Sequence, residues 1–303
     1  MSAPRGPVPG GGAPRWSVVV PTYARPERLA ACLDALARLD PPPGGHEVVV
    51  VDDGSPTPLD DVVAPHAGLV RLHRQANAGP ASARNAGAAL ARGERLAFTD
   101  DDCLPEAGWL VALDAAQDAE PGAMLGGRTV NVLTDCLPAE ASQQLVDHLY
   151  AWSRRTGRHP FFTSNNLALP AAGFADLGGF DTRFPRAAGE DRDLGERWAG
   201  LGRPLVHVPG AVVGHAHRMG LRAFWRQHAE YGRGATVFHD AVAERGGDGV
   251  RVEPPAFYTG MLRRPLRALP VRRALPVAAL VGVSQVATAA GFAQARWRRR
   301  RAA

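Results

Sequence analysis

The sequence has few cysteines and none of the glycine-rich phosphate motifs. Its 303 residues include three scattered cysteines, Cys32, Cys103 and Cys136, and no CxxC pair. This pattern argues against a zinc site and favours a reducing compartment. Neither GxGxxG nor GxxxxGK(S/T) occurs, because the glycines of residues 77–87 have the wrong spacing and lack the Walker lysine. We therefore do not expect a glycine loop to hold phosphate groups.

Charge of one sign is concentrated at one end of the chain. The formal net charge is +5, and the ten arginines after residue 262 contribute more than all of it, so the rest of the chain has a net charge of −5. This distribution argues against nucleic acid as a partner. Residues 1–15 are rich in proline and glycine and lack the apolar core of a signal peptide. We expect them to form a disordered leader on a cytoplasmic protein.

Strand and helix patterns alternate through the first half. Helical spacing follows Pro26, and small residues fill a second helix at 80–92. The predicted strands are WSVVV (16–20), HEVVVVDDGS (46–55), LVRLH (69–73) and RLAF (95–98). Continuous apolar strands separated by helices indicate an α/β fold with a mostly parallel central sheet covered on both faces.

The second half is less regular. A strand is predicted at 161–170, followed by a short helix, and two short strands are predicted within 204–217. Helices are predicted at 106–118, 140–155, 189–202 and 220–243. No clear linker interrupts this pattern before about residue 245. We expect one α/β domain at 16–245 and a separate basic, apolar tail at 246–303.

Residues 274–295 of the tail carry no charge and lie between two groups of arginines. Their length suits a membrane helix, but many alanines and a few polar residues weaken the drive for insertion. The segment can pack on the domain, lie on a membrane with its arginines at anionic headgroups, or span the bilayer. We expect membrane contact, at the surface rather than as a span.

Polar residues collect where three of the predicted strands end. Ligands of open α/β sheets bind at the carboxyl ends of strands, and parallel strands bring these ends to one edge. The polar residues at any one strand end resemble an ordinary turn, but their occurrence at three strand ends favours a ligand-binding site. Tyr23 can stack on a base, and Asp53 can accept hydrogen bonds from a base or a ribose. The three strand ends supply Pro21, Thr22, Tyr23 and Arg25, then Asp53, then Asp100, Asp101 and Asp102.

The aspartate triplet at 100–102 suggests a divalent cation. Carboxylates do not bind phosphates directly, but Mg²⁺ or Mn²⁺ can bridge an aspartate and a pyrophosphate. In the D-x-D pair, Asp102 suits the metal and Asp100 suits a ribose. An acidic cluster also suits the start of the helix predicted at 106–118, so the triplet alone leaves both interpretations open.

An ordered set of motifs resembles the family 2 glycosyltransferases. The resemblance covers residues 16–240 and implies the GT-A fold, a nucleotide-diphosphate sugar donor, a divalent metal and inversion at the anomeric carbon. The motifs, in chain order, are VVVPTYAR, VVVDDGS, NAGPASARNAGAAL, FTDDDC, SNNLALP, GGFDTRF and GEDRDLGERW.

The resemblance also implies roles for single residues. Asp102 matches the metal ligand of the D-x-D motif, in which Asp100 is the other member, and His215 matches a histidine near metal or phosphate. A satisfied histidine is an equal alternative for His215, and His217 can take its place. The nucleotide positions are Pro21, Tyr23, Asp53 and Arg84, with Thr22, Arg25, Asp100 and Asp101 beside them; Asp101 has no individual role.

The catalytic base is expected in the acidic pair Glu190 and Asp191. We favour Asp191, which would take the proton of the acceptor hydroxyl. The alternative is that both carboxylates simply open an exposed amphipathic helix.

Three functions remain in competition. The first is a single-addition glycosyltransferase acting on a cell-envelope or lipid-linked glycan at the inner face of the cell membrane. A polymerase is disfavoured, because only Arg197 and Trp198 match the Q/R-x-x-R-W signature of processive synthases. The second is a sugar nucleotidyltransferase, although PTYARPERL lacks the glycine-rich loop usual there. The third is a non-catalytic module that binds a nucleotide sugar or a membrane.

Overall fold

The computed structural model describes residues 12–156, 162–184, 186, 188–247 and 253–302. Most of the expected leader, residues 1–11, lies outside the described residues. The described chain forms two compact units. The first contains residues 12–130, 162–184 and 194–216, and the second contains the remaining residues.

Strands and helices alternate from β1 to β4 of the first unit, and the later elements follow a less regular order. Up to residue 131 the elements are β1 (Trp16–Thr22), α1 (Pro26–Leu36), β2 (His46–Asp52), α2 (Asp60–Val63), β3 (Val70–Arg74), α3 (Pro80–Leu90), β4 (Arg95–Phe98), β5 (Cys103–Pro105), α4 (Trp109–Ala119) and β6 (Met124–Asn131). The next helix, α5 (Leu137–Thr156), belongs to the second unit. The chain then forms β7 (Leu167–Pro170), α6 (Ala171–Asp176), α7 (Glu190–Gly200) and β8 (Leu205–His215). The first turn of α7, Glu190 to Asp193, belongs to the second unit.

An eight-stranded sheet with the order β3-β2-β1-β4-β7-β6-β8-β5 organises the first unit. Strands β1 to β4 pair in parallel, so their carboxyl ends lie at one edge. Strand β7 is antiparallel to β4 and β6, and β5 is antiparallel to β8. The parallel sheet predicted from the first half is confirmed there, and the second half adds antiparallel strands to give a mixed sheet.

The buried strands and the small residues of α3 explain the packing in this unit. Every residue of β1 is buried, as expected for a strand covered on both faces. Helix α1 has Pro26 in its first turn and buries Leu29, Leu33 and Leu36. In α3, a side chain at Gly87 would come within 2.4 Å of Val19. The glycine therefore allows α3 to approach the sheet closely.

Several sequence expectations need correction in the second half. Residue 161 lies outside the described residues, and among 162–170 only Leu167–Pro170 forms a strand. The preceding Ser164–Asn166 form a 3-10 turn whose asparagine side chains bond to other elements. Residues 204–217 contain one strand, β8, instead of two. Strands β5 and β6 were not predicted: β5 has only three residues, and β6 contains two adjacent glycines, which are unfavourable in strands.

The second unit is a helical bundle. It contains α5, the first turn of α7, and three C-terminal helices, α8 (Leu221–Glu244), α9 (Pro255–Ala268) and α10 (Val271–Ala302). Its core includes Trp152, Phe224, Phe257, Val277 and Val281. Helix α8 therefore packs with the C-terminal helices, whereas the sequence placed the domain boundary after it, at residue 245.

Helices α8 and α10 approach each other through glycines. A side chain at Gly232 would come within 1.9 Å of the Thr288 carbonyl oxygen, and one at Gly291 within 1.9 Å of the Ala229 carbonyl oxygen. The two contacts run in opposite chain directions, so the helices are antiparallel. Close packing of backbone on backbone thus fixes one side of α10 against α8.

Candidate active site

The ends of β1, β2 and β4 lie side by side at one edge of the sheet. The Asp53 backbone N–H donates to the Thr22 carbonyl oxygen at 2.9 Å. The Thr22 hydroxyl donates to Oδ2 of Asp101 at 2.8 Å. The structure therefore brings together the three polar strand ends that the sequence predicted to cluster.

Each aspartate of the triplet has a different set of partners. Asp100 accepts from Arg84 at 2.7 Å. Asp101 accepts from Thr22 and, at 3.1 Å, from Arg25. Asp102 accepts from Arg28 at 3.0 Å. The mutual repulsion of the three carboxylates is thus offset by Arg25, which precedes α1, and by arginines of α1 and α3.

Arg84 is positioned by burial as well as by its ion pair. It is only 2% exposed, and its guanidinium lies 5.6 Å from the centre of the Phe180 ring. Its partner Asp100 is more open, with 29% of the side chain exposed. A buried arginine fixed by a ring and a carboxylate is a rigid cation at the strand edge.

Asp101 lies inside the strand edge. Burial, together with the neighbouring charges of Asp102 and Asp100, raises its pKa to about 6, although Arg25 acts in the opposite direction. Its two oxygens bond to Thr22 and Arg25. Asp101 thus ties the end of β1 to the end of β4, a role that the sequence did not assign to it.

Asp102 and His215 form the pair that can bind a metal. Oδ1 of Asp102 lies 3.4 Å from Nε2 of His215, and the aspartate side chain is 4% exposed. The pairing of β5 with β8 sets this distance, because the Ala216 N–H donates to the Asp102 carbonyl oxygen at 2.8 Å. A carboxylate oxygen beside an imidazole nitrogen fits Mn²⁺ well and Mg²⁺ acceptably. His217 belongs to the second unit.

Asp53 holds the loop between β3 and α3. Its Oδ1 accepts from the Gln75 side chain at 2.8 Å and from the Ala78 N–H at 2.9 Å, and its Oδ2 accepts from the Gly79 N–H at 2.8 Å. The residue is 5% exposed. The carboxylate predicted to contact the nucleotide is therefore already engaged with the chain, and most of its acceptor capacity is used.

The residues after β1 present an aromatic ring at the same edge. Tyr23 is 47% exposed, whereas Pro21 and Thr22 are buried. Ala24 has φ of 54°, an unusual value for a residue with a side chain, and its N–H donates to the Ser55 hydroxyl at 2.9 Å. The turn that exposes Tyr23 is thus anchored to the loop after β2.

The two members of the predicted base pair lie in the second unit and have different environments. Oε2 of Glu190 accepts from the Ala188 N–H at 2.8 Å, and Glu190 is 2% exposed. Asp191 is half-buried, and its Oδ1 accepts from the Arg192 N–H at 2.8 Å. Glu190 is therefore directed back to its own loop, while Asp191 is the more accessible carboxylate.

The GGFD turn is held by α3 and α7. The Asn85 side chain donates to the Phe180 carbonyl oxygen at 2.8 Å and accepts from its N–H at 2.9 Å. Arg197 donates to the carbonyl oxygens of Leu177 and Gly179. Trp198 is buried. The Arg-Trp pair of the incomplete processive signature therefore serves the fold of this unit.

Sequence reasoning missed Arg28, Gln75 and Asn85. Arg28 follows Arg25, the residue just before α1, by three positions, and this helical spacing could have indicated a shared face toward the triplet. Gln75 stands at the end of β3, the one parallel strand whose end was not considered. Asn85 gave no signal, because its partner Phe180 is remote in sequence.

Comparison with known families and proteins gives consistent matches. A model described as glycosyl transferase family 2 matches residues 17–173. A pre-mycofactocin glycosyltransferase from Mycobacterium tuberculosis is 34% identical over 198 residues, covering 63% of this chain and 42% of the relative. A validoxylamine A glucosyltransferase from Streptomyces hygroscopicus is 32% identical over 239 residues, covering 68% of this chain and 53% of the relative. The chain spans about half the length of these relatives.

Solved structures share the fold. A mannosyltransferase from Pyrobaculum calidifontis, in complex with GDP-Man and Mn²⁺, matches with a TM-score of 0.66 and 21% identity over 95% of this chain and 88% of the other. S. aureus TarS 1-349 in complex with UDP-GlcNAc matches with a TM-score of 0.55 and 17% identity over 95% of this chain and 92% of the other. The GT-A fold implied by the motifs is thereby confirmed.

Proposed function

Because this chain belongs to glycosyl transferase family 2, we propose that it transfers a sugar from a nucleotide-diphosphate donor to a hydroxyl group of an acceptor. The observation that carries the proposal is the edge of the sheet where Asp102 and His215 lie 3.4 Å apart. The arginines and aspartates around this pair give the edge both the metal ligands and the cations that a sugar diphosphate requires.

We assign the metal site to Asp102 and His215, with Mn²⁺ or Mg²⁺ as the ion. When bound, the ion supplies positive charge to the diphosphate that leaves the sugar. Asp100 completes the D-x-D motif, but its ion pair with Arg84 favours a role in positioning that arginine near the nucleotide. Arg28 shares Asp102 with the metal, so the metal must compete with this arginine.

The donor nucleotide is assigned to the exposed side of the same edge. Tyr23 offers its ring to the base. Asp53 keeps one acceptor position on Oδ2, and otherwise acts by holding the 75–79 loop. Arg25 and Asp101 stabilise the turn that carries Tyr23. Pro21 and Thr22 end the buried strand from which that turn begins.

Asp191 is proposed as the catalytic base. Its accessibility compared with Glu190 supports this choice, because a base must reach the proton that it removes. The attack of a deprotonated hydroxyl in a single displacement inverts the anomeric carbon. Glu190 contributes by holding the loop that precedes Asp191.

A cell-envelope or lipid-linked glycan at the inner face of the membrane is the proposed acceptor. The arginine-rich C-terminus supports a location near anionic lipids. Two relatives are named for other compounds, so a screen of acceptors should include validoxylamine A beside lipid-linked glycans.

The test is a panel of UDP-, GDP- and dTDP-sugars, measured by thermal stabilisation with and without Mn²⁺. A ligand that binds only the native state raises the melting temperature. We expect one donor to do so in a Mn²⁺-dependent manner and to be consumed when the acceptor is added, with inversion visible by NMR. If the chain instead released pyrophosphate from a nucleoside triphosphate while joining the nucleotide to a sugar 1-phosphate, it would be a nucleotidyltransferase. Binding of a donor without turnover of any acceptor would indicate a binding module.

A further inference from the structure

Helix α10 is apolar on two opposite sides. Among the described residues it is the one helix long and apolar enough to cross a membrane, and an 18-residue stretch of it has a mean hydropathy of 1.6. Its buried side consists of Ala274, Val277, Val281, Ser284, Ala287 and Gly291. Its exposed side consists of Leu275, Ala279, Val283, Val286, Ala290, Ala293 and Trp297. The second set repeats every three or four residues, so it forms one continuous stripe opposite the packed side.

This stripe is extensive for a surface exposed to water. It runs for about 33 Å at 1.5 Å per residue. Leu275 and Val286 are 63% and 60% exposed, and no charged residue interrupts the helix between Arg273 and Arg296. Exposed apolar patches of this kind mark surfaces that bind a partner or a membrane.

Helix α9 extends the same surface. Its exposed Tyr258, Leu262 and Leu266 follow one another at helical spacing. A side chain at Gly282 of α10 would come within 3.9 Å of Leu262. The exposed stripes of the two helices therefore adjoin, and we call them together the α9–α10 face.

The charge around this face is of one sign. Helices α9 and α10 contain ten arginines and no acidic residue. Four of these arginines pair with acidic side chains of the second unit, Glu140, Asp147 and Asp240. The other six, Arg263, Arg267, Arg272, Arg298, Arg300 and Arg301, have no acidic partner within 4.0 Å among the described residues.

We propose that the α9–α10 face docks on the surface of a bilayer rich in anionic phospholipids, with α10 lying in the plane of the membrane. Apolar side chains enter the boundary between headgroups and acyl chains, and the six unpaired arginines bind lipid phosphates. A second copy of this chain fits the face poorly, because two such arginine-rich surfaces would repel each other.

The contacts of α10 favour this orientation over a span. Helix α8 packs on α10 at Gly291 and Thr288. At that level α8 carries the ion pair between Arg233 and Glu230, and Arg233 also donates to Gln294 of α10 at 2.9 Å. If α10 crossed the bilayer with α8 attached, this pair would lie at the depth of the hydrocarbon, where charges are costly. Lying in the plane, α10 keeps its charged neighbour on the side away from lipid.

The test is co-sedimentation of the full chain with phosphatidylcholine vesicles, with and without phosphatidylglycerol. We expect binding to the anionic vesicles that weakens as salt increases, and little binding to the neutral ones. The double variant L275Q/V286Q should bind at least about tenfold more weakly, because burying one such side chain in an apolar environment is worth roughly that factor. The matched control is L201Q, since Leu201 is 57% exposed and lies in the other unit.

The outcomes separate this proposal from its alternatives. Equal binding of L275Q/V286Q and wild type would overturn it, as would equal binding to neutral and anionic vesicles. Release only by detergent, and not by salt, would indicate a span, and dimerisation without lipid that L275Q/V286Q abolishes would indicate a second copy. The double variant should keep its Mn²⁺-dependent donor binding. A failure of the membrane-docking proposal can therefore be distinguished from a failure of the proposed sugar transfer. Equal melting temperatures of the variants and the wild type exclude a folding defect.

Discussion

Replacing Asp53 tests whether this residue organises the loop before α3. Its carboxylate accepts three hydrogen bonds, two of them from the backbone N–H groups of Ala78 and Gly79. Because the side chain is buried, Asp53→Ala leaves both N–H groups without an acceptor. Each such loss costs about 1–3 kcal/mol, so we expect a decrease of about 4 kcal/mol in the free energy of unfolding.

That decrease corresponds to a melting temperature lower by roughly 10 °C, for a domain of about this size. Asp53→Asn keeps one carbonyl oxygen and should lose about half as much. The measurement is thermal unfolding followed by circular dichroism. Asp61→Ala is the control, because Asp61 is an exposed carboxylate.

The competing role for Asp53 is direct contact with the nucleotide. If Asp53→Ala melts at the wild-type temperature but loses donor affinity, the carboxylate serves the ligand and our account of the loop is wrong. If it melts at a lower temperature and donor affinity falls in both Asp53→Ala and Asn77→Ala, the loop itself positions the nucleotide. Asn77 is the informative partner because its side chain donates to the Asp53 carbonyl oxygen at 2.9 Å.

Three further predictions concern single residues. Asp191→Asn should lower kcat by about 10²- to 10⁴-fold, the usual contribution of a general base, while donor binding stays unchanged in thermal-shift titrations; loss of donor binding instead would argue against a base. Burial lowers the pKa of His228 from 6.5 to about 4. As the pH falls, His228 therefore binds a proton in the unfolded chain before it does so in the folded chain. The stability that the neutral, buried His228 contributes is complete above pH 6.5 and is lost as the pH falls toward 4. Denaturant titrations of His228→Gln should show a flatter decline over that range, by up to about 3 kcal/mol, and identical slopes would contradict the assignment. Asn85→Ala should destabilise the fold by about 2 kcal/mol, because it removes both hydrogen bonds to Phe180, and unchanged unfolding midpoints would show that the GGFD turn holds without it.

The hydrophobic pattern of the sequence was sufficient to predict the parallel half of the sheet. A run of β-branched apolar residues such as 48–51 favours a strand covered on both faces, and the polar ends of parallel strands then meet at one edge. The proximity of Thr22, Asp53 and Asp101 follows from this rule. The prediction succeeded because parallel strands in an alternating chain leave few other arrangements.

The partners of those residues could not be read from the sequence. Asp102 meets His215 only because the short strand β5 pairs with β8, which is remote from it in the chain. Arg28 reaches Asp102 from α1 for a similar reason, since the packing of the helix on the sheet sets the contact. Long-range contacts of this kind depend on the tertiary structure, and the local periodicity of the sequence does not predict them.

The binding of a metal ion by Asp102 and His215 is tested by a Mn²⁺ titration followed by electron paramagnetic resonance, with the nucleoside diphosphate present. We expect wild type to bind one Mn²⁺, Asp102→Ala to abolish this binding and His215→Ala to weaken it. Arg28→Gln should bind Mn²⁺ more tightly than wild type when no nucleotide is present, because the arginine no longer occupies the Asp102 carboxylate. Unchanged Mn²⁺ affinity in Asp102→Ala would contradict the assignment of the metal site.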